Sequence, residues 1–181
     1  AGDTVAIIGA GPVGLCSGLC AKLLGASLVI MLDLDERRLQ TALENHAADM
    51  TLNPQQCDAA HEIRKMTDGR GADSVIEAAG GKDTFQMAWK IARPNGIVAV
   101  VAMYEENQTL PLPEMYGKNL IFKTGGVDAR HCEMLLEHIR CGRLNTDFLI
   151  THKSPFHRIL EGYSIFENPK ENCLKWVIVN D

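Results

Sequence analysis

Gly9, Gly11 and Gly14 fall at the spacing Gly-x-Gly-x-x-Gly, directly after the apolar run Val5-Ala6-Ile7-Ile8. Glycine is common, so the triplet means little without its context. Here a strand-like run precedes it and a helix-like stretch opening at Pro12 and Val13 follows it. In that setting Gly9 permits a tight turn, Gly11 lets the backbone approach a pyrophosphate, and Gly14 lets the helix pack close to the strand. The helix start then offers unpaired N–H groups and the positive end of its dipole to a phosphate. Asp33 lies nineteen residues past Gly14, at the end of the next apolar run. A carboxylate there accepts hydrogen bonds from both hydroxyls of an adenosine ribose and repels a 2′-phosphate. The joint pattern predicts NAD as the cofactor, with NADP the lesser alternative. Leu34 follows the acid directly. Arg37 and Arg38 are close enough to keep dual use open, and Arg38 is better spaced to reach back over the adenosine. The bland alternative is a bare strand–helix connection, with Asp33 a surface acid and the two arginines a solvated helix face.

These residues need a parallel sheet to hold them. Short apolar runs alternate with helical stretches through the first two thirds of the chain. Strands are predicted at Thr4–Ile8, Leu28–Leu32, Asp49–Leu52, Asp73–Glu77, Gly96–Val101 and Leu120–Lys123. Helices are predicted over Pro12–Leu24, Glu36–Asn45, Ala59–Thr67 and Thr84–Ile91, with a turn at Arg93-Pro94-Asn95-Gly96. This alternation gives an α/β class: a doubly wound, six-stranded parallel sheet of Rossmann type. After Gly125-Gly126 the pattern changes to an α+β tail that does not read as a further βαβ repeat. It carries a helix over Ala129–Arg140, an extended Phe148-Leu149-Ile150, a helix over Pro155–Phe166 and a last strand at Leu174–Val179. The domains are therefore expected at 1–124 and 125–181.

Composition narrows the function classes. The chain has 181 residues, 46% hydrophobic and 23% charged, which suits a folded globular domain rather than a disordered one. A net charge of −5 without a basic run gives no footprint for nucleic acid. No apolar stretch approaches the roughly 20 residues that span a bilayer, and the start lacks the basic region of a signal peptide. The six cysteines, Cys16, Cys20, Cys57, Cys132, Cys141 and Cys173, show no Cys-x-x-Cys pair. They read as free thiols in a reducing cytoplasm rather than a disulfide framework or a zinc site. His61-Glu62, His131-Cys132, His152 and His157 have no ligand-like spacing with one another.

The stretches "GDTVAIIGAGPVGL", "DLDERRL", "GADSVIEAAG", "ARPNGIVAVV" and "LITHKSPFHRILEGYSIFEN" occur in that order. Together they resemble the zinc-dependent medium-chain alcohol dehydrogenases, and "PEMYGKNLIFKTGGVDARHCEML" is similar to their bacterial secondary-alcohol branch. The resemblance runs over nearly the whole chain. It implies that Gly9, Gly11 and Gly14 form the pyrophosphate turn and that Asp33 is the ribose acid, with Arg38 basic beside it. It further implies that Ala78, Ala79 and Gly80 line the cofactor groove. Val101, Ala102 and Met103 would meet the nicotinamide carboxamide through their backbone, and Thr124 would add another backbone contact there. Lys175 would reach the pyrophosphate.

The family holds its catalytic zinc through Cys, His and an acid in an N-terminal domain, and no Gly-His-Glu motif occurs here. The chain thus reads as the C-terminal half of a longer enzyme, with no catalytic residue and no metal ligand of its own. Its substrate, an alcohol or ketone, would be held by the other half. The tail would return to that half, so Phe148, Leu149, Ile150, Phe156, Ile159, Leu160, Tyr163 and Phe166 are expected exposed or differently paired. The resemblance also implies a homo-oligomer through the sheet edge near Leu110–Pro113 and Leu120–Phe122. Polyol or threonine dehydrogenases of the same family, and a stand-alone dinucleotide-sensing domain, are the alternatives.

Overall fold

A computed structural model describes residues 1–125, 129–168 and 172–180. The chain forms two compact units, Ala1–Cys132 and Glu133–Asp181. The sequence reading set its boundary after Thr124; the first unit runs on to Cys132.

In the first unit, strands β1 (Thr4–Ile8), β2 (Leu28–Leu32), β3 (Met50–Leu52), β4 (Ala72–Glu77), β5 (Ala92–Val100) and β6 (Ile121–Thr124) form one sheet in the order β3-β2-β1-β4-β5-β6. Every pair in it is parallel. Helices α1 (Pro12–Leu23), α2 (Glu36–Glu44), α3 (Ala59–Met66), α4 (Thr84–Ile91) and the short α5 (Leu112–Met115) make the connections. All five residues of β1 are buried, as a strand covered on both faces requires. Ile30, Leu32, Val75 and Val98 pack with Phe85, Ala88 and Trp89 of α4, and Phe85 tilts against Phe122 at 5.8 Å between ring centroids. Each buried Ile, Leu, Val or Phe among them contributes about 1.5–3 kcal/mol by leaving water.

The helices begin where the sequence supplies caps. Asp35 accepts from the Arg37 amide at the start of α2, and Asp58 accepts from the amides of Ala60 and His61 at the start of α3. Lys118 donates its ammonium to the carbonyls of Trp89, Lys90 and Ala92, closing the end of α4. The chain leaves β1 toward β2 and β3, then returns to β4 on the opposite side. The crevice at the C-terminal ends of β1 and β4 is thus the topological switch point.

Two expectations change here. The predicted turn at Arg93–Gly96 is absorbed into β5, whose register against β4 shifts between Ala72 and Ser74, with Asn95 at φ 60°. α5 was not foreseen, because four residues are too few to show a helical period.

α6 (Cys132–Arg140), which starts on the last residue of the first unit, leads to β7 (Ile150–Pro155), α7 (Ile159–Phe166) and β8 (Lys175–Val179) of the second. β7 and β8 pair in parallel around α7, so the tail does contain a βαβ unit, contrary to the sequence reading. Phe148-Leu149-Ile150 is not simply extended: Asp147–Leu149 form a 3-10 turn. The Asn145 side chain accepts the Asp147 amide and winds the chain there. Pro155 both ends β7 and caps the 3-10 turn Phe156–Arg158, which runs directly into α7. Trp176 stacks on His152 with ring centroids 5.2 Å apart and donates to Ser154 at 2.8 Å. A Cβ on Gly162 would stand 3.0 Å from the Trp176 ring, so any larger residue would require the ring to shift. Phe156, Leu160, Tyr163 and Phe166 are exposed, whereas Leu149 is buried. Among the described residues no helix is long and apolar enough to cross a membrane.

Candidate functional site

The switch-point crevice opens into a cavity of about 600 Å³. Its floor is the glycine turn. Gly9 sits at φ 103°, and its amide donates to the Leu32 carbonyl at 2.7 Å, fixing the turn to β2. A Cβ on Gly14 would lie 1.8 Å from the Gly9 carbonyl oxygen, so the chain's own packing demands glycine there. Gly11 differs: nothing lies within 4 Å of where its Cβ would be. The fold leaves that space open, in front of a helix whose first turn carries no acid and whose N-cap has no side-chain acceptor. An open space before a helix start with unpaired amides is one that could hold a phosphate.

Asp33 stands at the end of β2 on the cavity wall. Its Oδ2 accepts from the Ala10 amide at 2.7 Å and its Oδ1 from the Asp35 amide at 2.9 Å. Two backbone donors therefore fix the carboxylate, and each oxygen keeps a second lone pair for a ligand hydroxyl. Leu34 and Arg38 line the same cavity. Arg37 does not: its guanidinium pairs with Asp35, Nη2 to Oδ2 at 2.9 Å and Nε to Oδ1 at 3.3 Å. That hydrogen bond, above all, holds the Asp35 carboxyl below its usual range and raises Arg37.

Ala78 and Ala79 form the opposite wall. Gly80 follows at φ 67°, outside the cavity lining, and a Cβ there would come within 2.8 Å of the Met103 carbonyl oxygen. Val101, Ala102 and Met103 leave the C-terminal end of β5, and the amides of Val101 and Ala102 both donate to the Glu77 carbonyl. Thr124 ends β6 beside Val100. These four lie along the same edge of the sheet but outside the cavity lining, as do Pro12, Val13 and Gly14 in the first turn of α1. Lys175 belongs to the second unit, where it lines a separate cavity of about 290 Å³ with Tyr163 and Trp176.

Sequence reasoning missed Pro54, Gln55, Lys82, Asp83, Thr84 and Met87, all on the cavity wall. Pro54 and Gln55 follow β3, held by Asn53, whose side-chain amide donates to the Leu34 carbonyl and to Glu36. A signal existed: loops after parallel strands at the switch point are where ligands bind.

Among the described residues no group of three or more His, Cys, Asp or Glu could hold a metal ion.

The sequence profile of the family described as "Zinc-binding dehydrogenase" matches residues 12–128. The chain is 33% identical to an alcohol dehydrogenase of Cupriavidus necator over 98% of its own length and 49% of the relative's. It is 32% identical to an NADP-dependent isopropanol dehydrogenase of Entamoeba histolytica, over 98% of the chain and 50% of that protein. Among solved structures, zinc dependent alcohol dehydrogenase 2 from Streptococcus pneumonia superposes with a TM-score of 0.93 at 34% identity, covering 99% of this chain and 52% of that one. The chain spans about half the length of the curated relatives it matches.

Proposed function

The chain belongs to the zinc-binding dehydrogenase family, and from that premise we propose that it is the cofactor-binding half of an NAD-linked alcohol dehydrogenase. The whole enzyme moves hydride reversibly between a secondary alcohol and its ketone. The observation that carries the reading is the pairing of an open Gly11 cradle with a backbone-fixed Asp33 on one cavity. The nicotinamide, when bound, accepts or delivers the hydride. This chain's residues bind and orient it. The start of α1 and Gly11 hold the pyrophosphate, and Asp33 accepts the adenosine ribose hydroxyls. Arg38 flanks that ribose, while Leu34, Pro54 and Met87 enclose the adenine. Val101, Ala102 and Met103 meet the nicotinamide end through their backbone. The zinc and the alcohol pocket belong to the half that precedes this chain in its relatives.

A second reading, NADP, has a specific support: one relative is named NADP-dependent, and Arg38 lines the cavity. Asp33 argues against it, because a carboxylate beside a 2′-phosphate sets like charges together. Calorimetric titration of the chain with NADH and with NADPH decides between them. Tighter NADH supports the proposal; equal or tighter NADPH replaces it with the second reading; binding of neither removes both.

We also propose a cytoplasmic enzyme that pairs with a second copy of itself along β6, an edge strand whose Ile121 is exposed, as are Leu110, Leu112 and Tyr116. Light scattering of the purified chain checks this: a monomer at micromolar concentration defeats it.

A further inference from the structure

We propose that Glu77 is a positioning residue for the nicotinamide half of the bound dinucleotide, a role that rests on the cofactor reading above. Glu77 is the last residue of β4 and is fully buried. A carboxyl group in that place is costly unless it is hydrogen-bonded, and an apolar residue would suit the strand better. Its Oε1 accepts from the amides of Ala79 at 3.0 Å and Gly80 at 2.9 Å. Those N–H groups would otherwise be left without partners in the turn. Its main-chain carbonyl accepts from Val101 at 2.9 Å and Ala102 at 3.1 Å. One residue therefore ties the turn after β4 to the backbone leaving β5.

The turn has little freedom besides. The Ala78 amide donates to the Ile8 carbonyl at 2.8 Å, and a Cβ at Gly9 would stand 3.1 Å from the Ala78 carbonyl. Gly80 abuts Met103 on the other side. Glu77 thus sets the spacing between the phosphate cradle and the strand end that faces the nicotinamide. A second tether runs through Tyr104, whose hydroxyl shares a 2.8 Å hydrogen bond with Thr84 on the cavity wall. Burial, together with the nearby charge of Glu77, pushes that phenol up to about 12, so at neutral pH it keeps its proton for hydrogen bonding. Glu77 spends Oε1 on both turn amides, and its side chain interacts with the Tyr104 hydroxyl, while its buried Oε2 accepts no hydrogen bond of good geometry.

The test titrates the full chain, as wild type, Glu77→Gln, Glu77→Asp and Glu77→Leu, with NADH and with AMP, and records each thermal midpoint. The glutamine oxygen can still accept both amides, so NADH affinity stays within about twofold of wild type. Leucine leaves both amides unpaired, and NADH weakens about tenfold or more while AMP, held at the Asp33 end, changes by less than about twofold. Aspartate withdraws the carboxyl by one methylene; it is expected to behave as leucine does, and it keeps the test decisive if the leucine variant does not fold. Unchanged NADH affinity in the aspartate and leucine variants overturns the role. So does a parallel loss of NADH and AMP, which marks a merely structural group, or a glutamine variant as weak as leucine. A wild-type chain that binds neither ligand overturns the cofactor reading itself, an outcome distinct from all of these.

Discussion

Asp33 and Ala10 are joined by a 2.7 Å hydrogen bond from the Ala10 amide to the Asp33 carboxylate, across 23 residues of sequence. The acid at the end of β2 and the glycine turn after β1 are therefore one rigid piece, and the carboxylate is aimed before any ligand arrives. Fixed geometry of this kind lowers the ordering cost of binding.

Replacing Asp33 by alanine removes the ribose acceptor and the anchor of the Ala10 amide together. A hydrogen bond to a charged group is worth about 1.5–3 kcal/mol, so NADH should weaken by roughly 10- to 100-fold. NADPH should weaken much less, since it loses a repulsion at the same time. Calorimetry on wild type and variant reads both numbers; equal losses for the two cofactors would count against the ribose assignment.

The two glycines should separate binding from folding. Gly11→Ala puts a methyl group into open space, so the thermal midpoint should hold while NADH affinity drops. Gly14→Ala forces a Cβ to within 1.8 Å of the Gly9 carbonyl, so the fold itself should weaken, by about 1–3 kcal/mol. Thermal melts and fluorescence titrations of the two variants check the split. Loss of stability in Gly11→Ala would mean that the cradle is part of the packing.

Arg37 is held by Asp35 and does not line the cavity. Asp35→Ser keeps an acceptor for the Arg37 amide, and so keeps the helix cap, but removes the Asp35 carboxylate from the guanidinium. The NADPH-to-NADH affinity ratio should then rise several-fold, most clearly at low ionic strength, where unscreened charges act farthest. A ratio that does not move shows that Arg37 cannot reach the ribose.

Acid should expose the tie between β1, β4 and β5. Asp73 accepts the Thr4 amide at 2.7 Å and pairs with Arg93 at 2.5 Å. Burial alone would raise its carboxyl, but the Arg93 hydrogen bond and the Thr4 amide outweigh that and hold it below the ordinary value. A depressed carboxyl stabilises the fold fully above its unfolded pKa of about 3.9, and that contribution is lost as pH falls through the lower folded value. Urea melts of wild type and Asp73→Asn should differ at neutral pH and converge as pH falls through the depressed folded value. Curves that stay parallel throughout would show that the pair carries no linkage.

Much of this site was legible in sequence because its parts are local. A strand, a glycine turn and a helix are contiguous, and the second strand must end beside the first, so the spacing from Gly14 to Asp33 survives any detail of packing. The six strands were legible for a similar reason: buried parallel strands show as short apolar runs. The positions of Pro54, of Lys82 to Thr84 and of Glu77 in the site were not. They depend on which strands neighbour which, and the reversal that puts β4 beside β1 is a long-range event that no window of sequence records. The same holds for the parallel pairing of β7 with β8 around α7, fixed by Gly162 meeting a tryptophan fourteen residues further on. The sequence by itself determined the glycine turn and the acid beside it, since residue type and spacing along one βαβ unit set both. Only the tertiary structure decided what encloses them, because the enclosing groups meet through strand order and close packing between segments far apart in the chain.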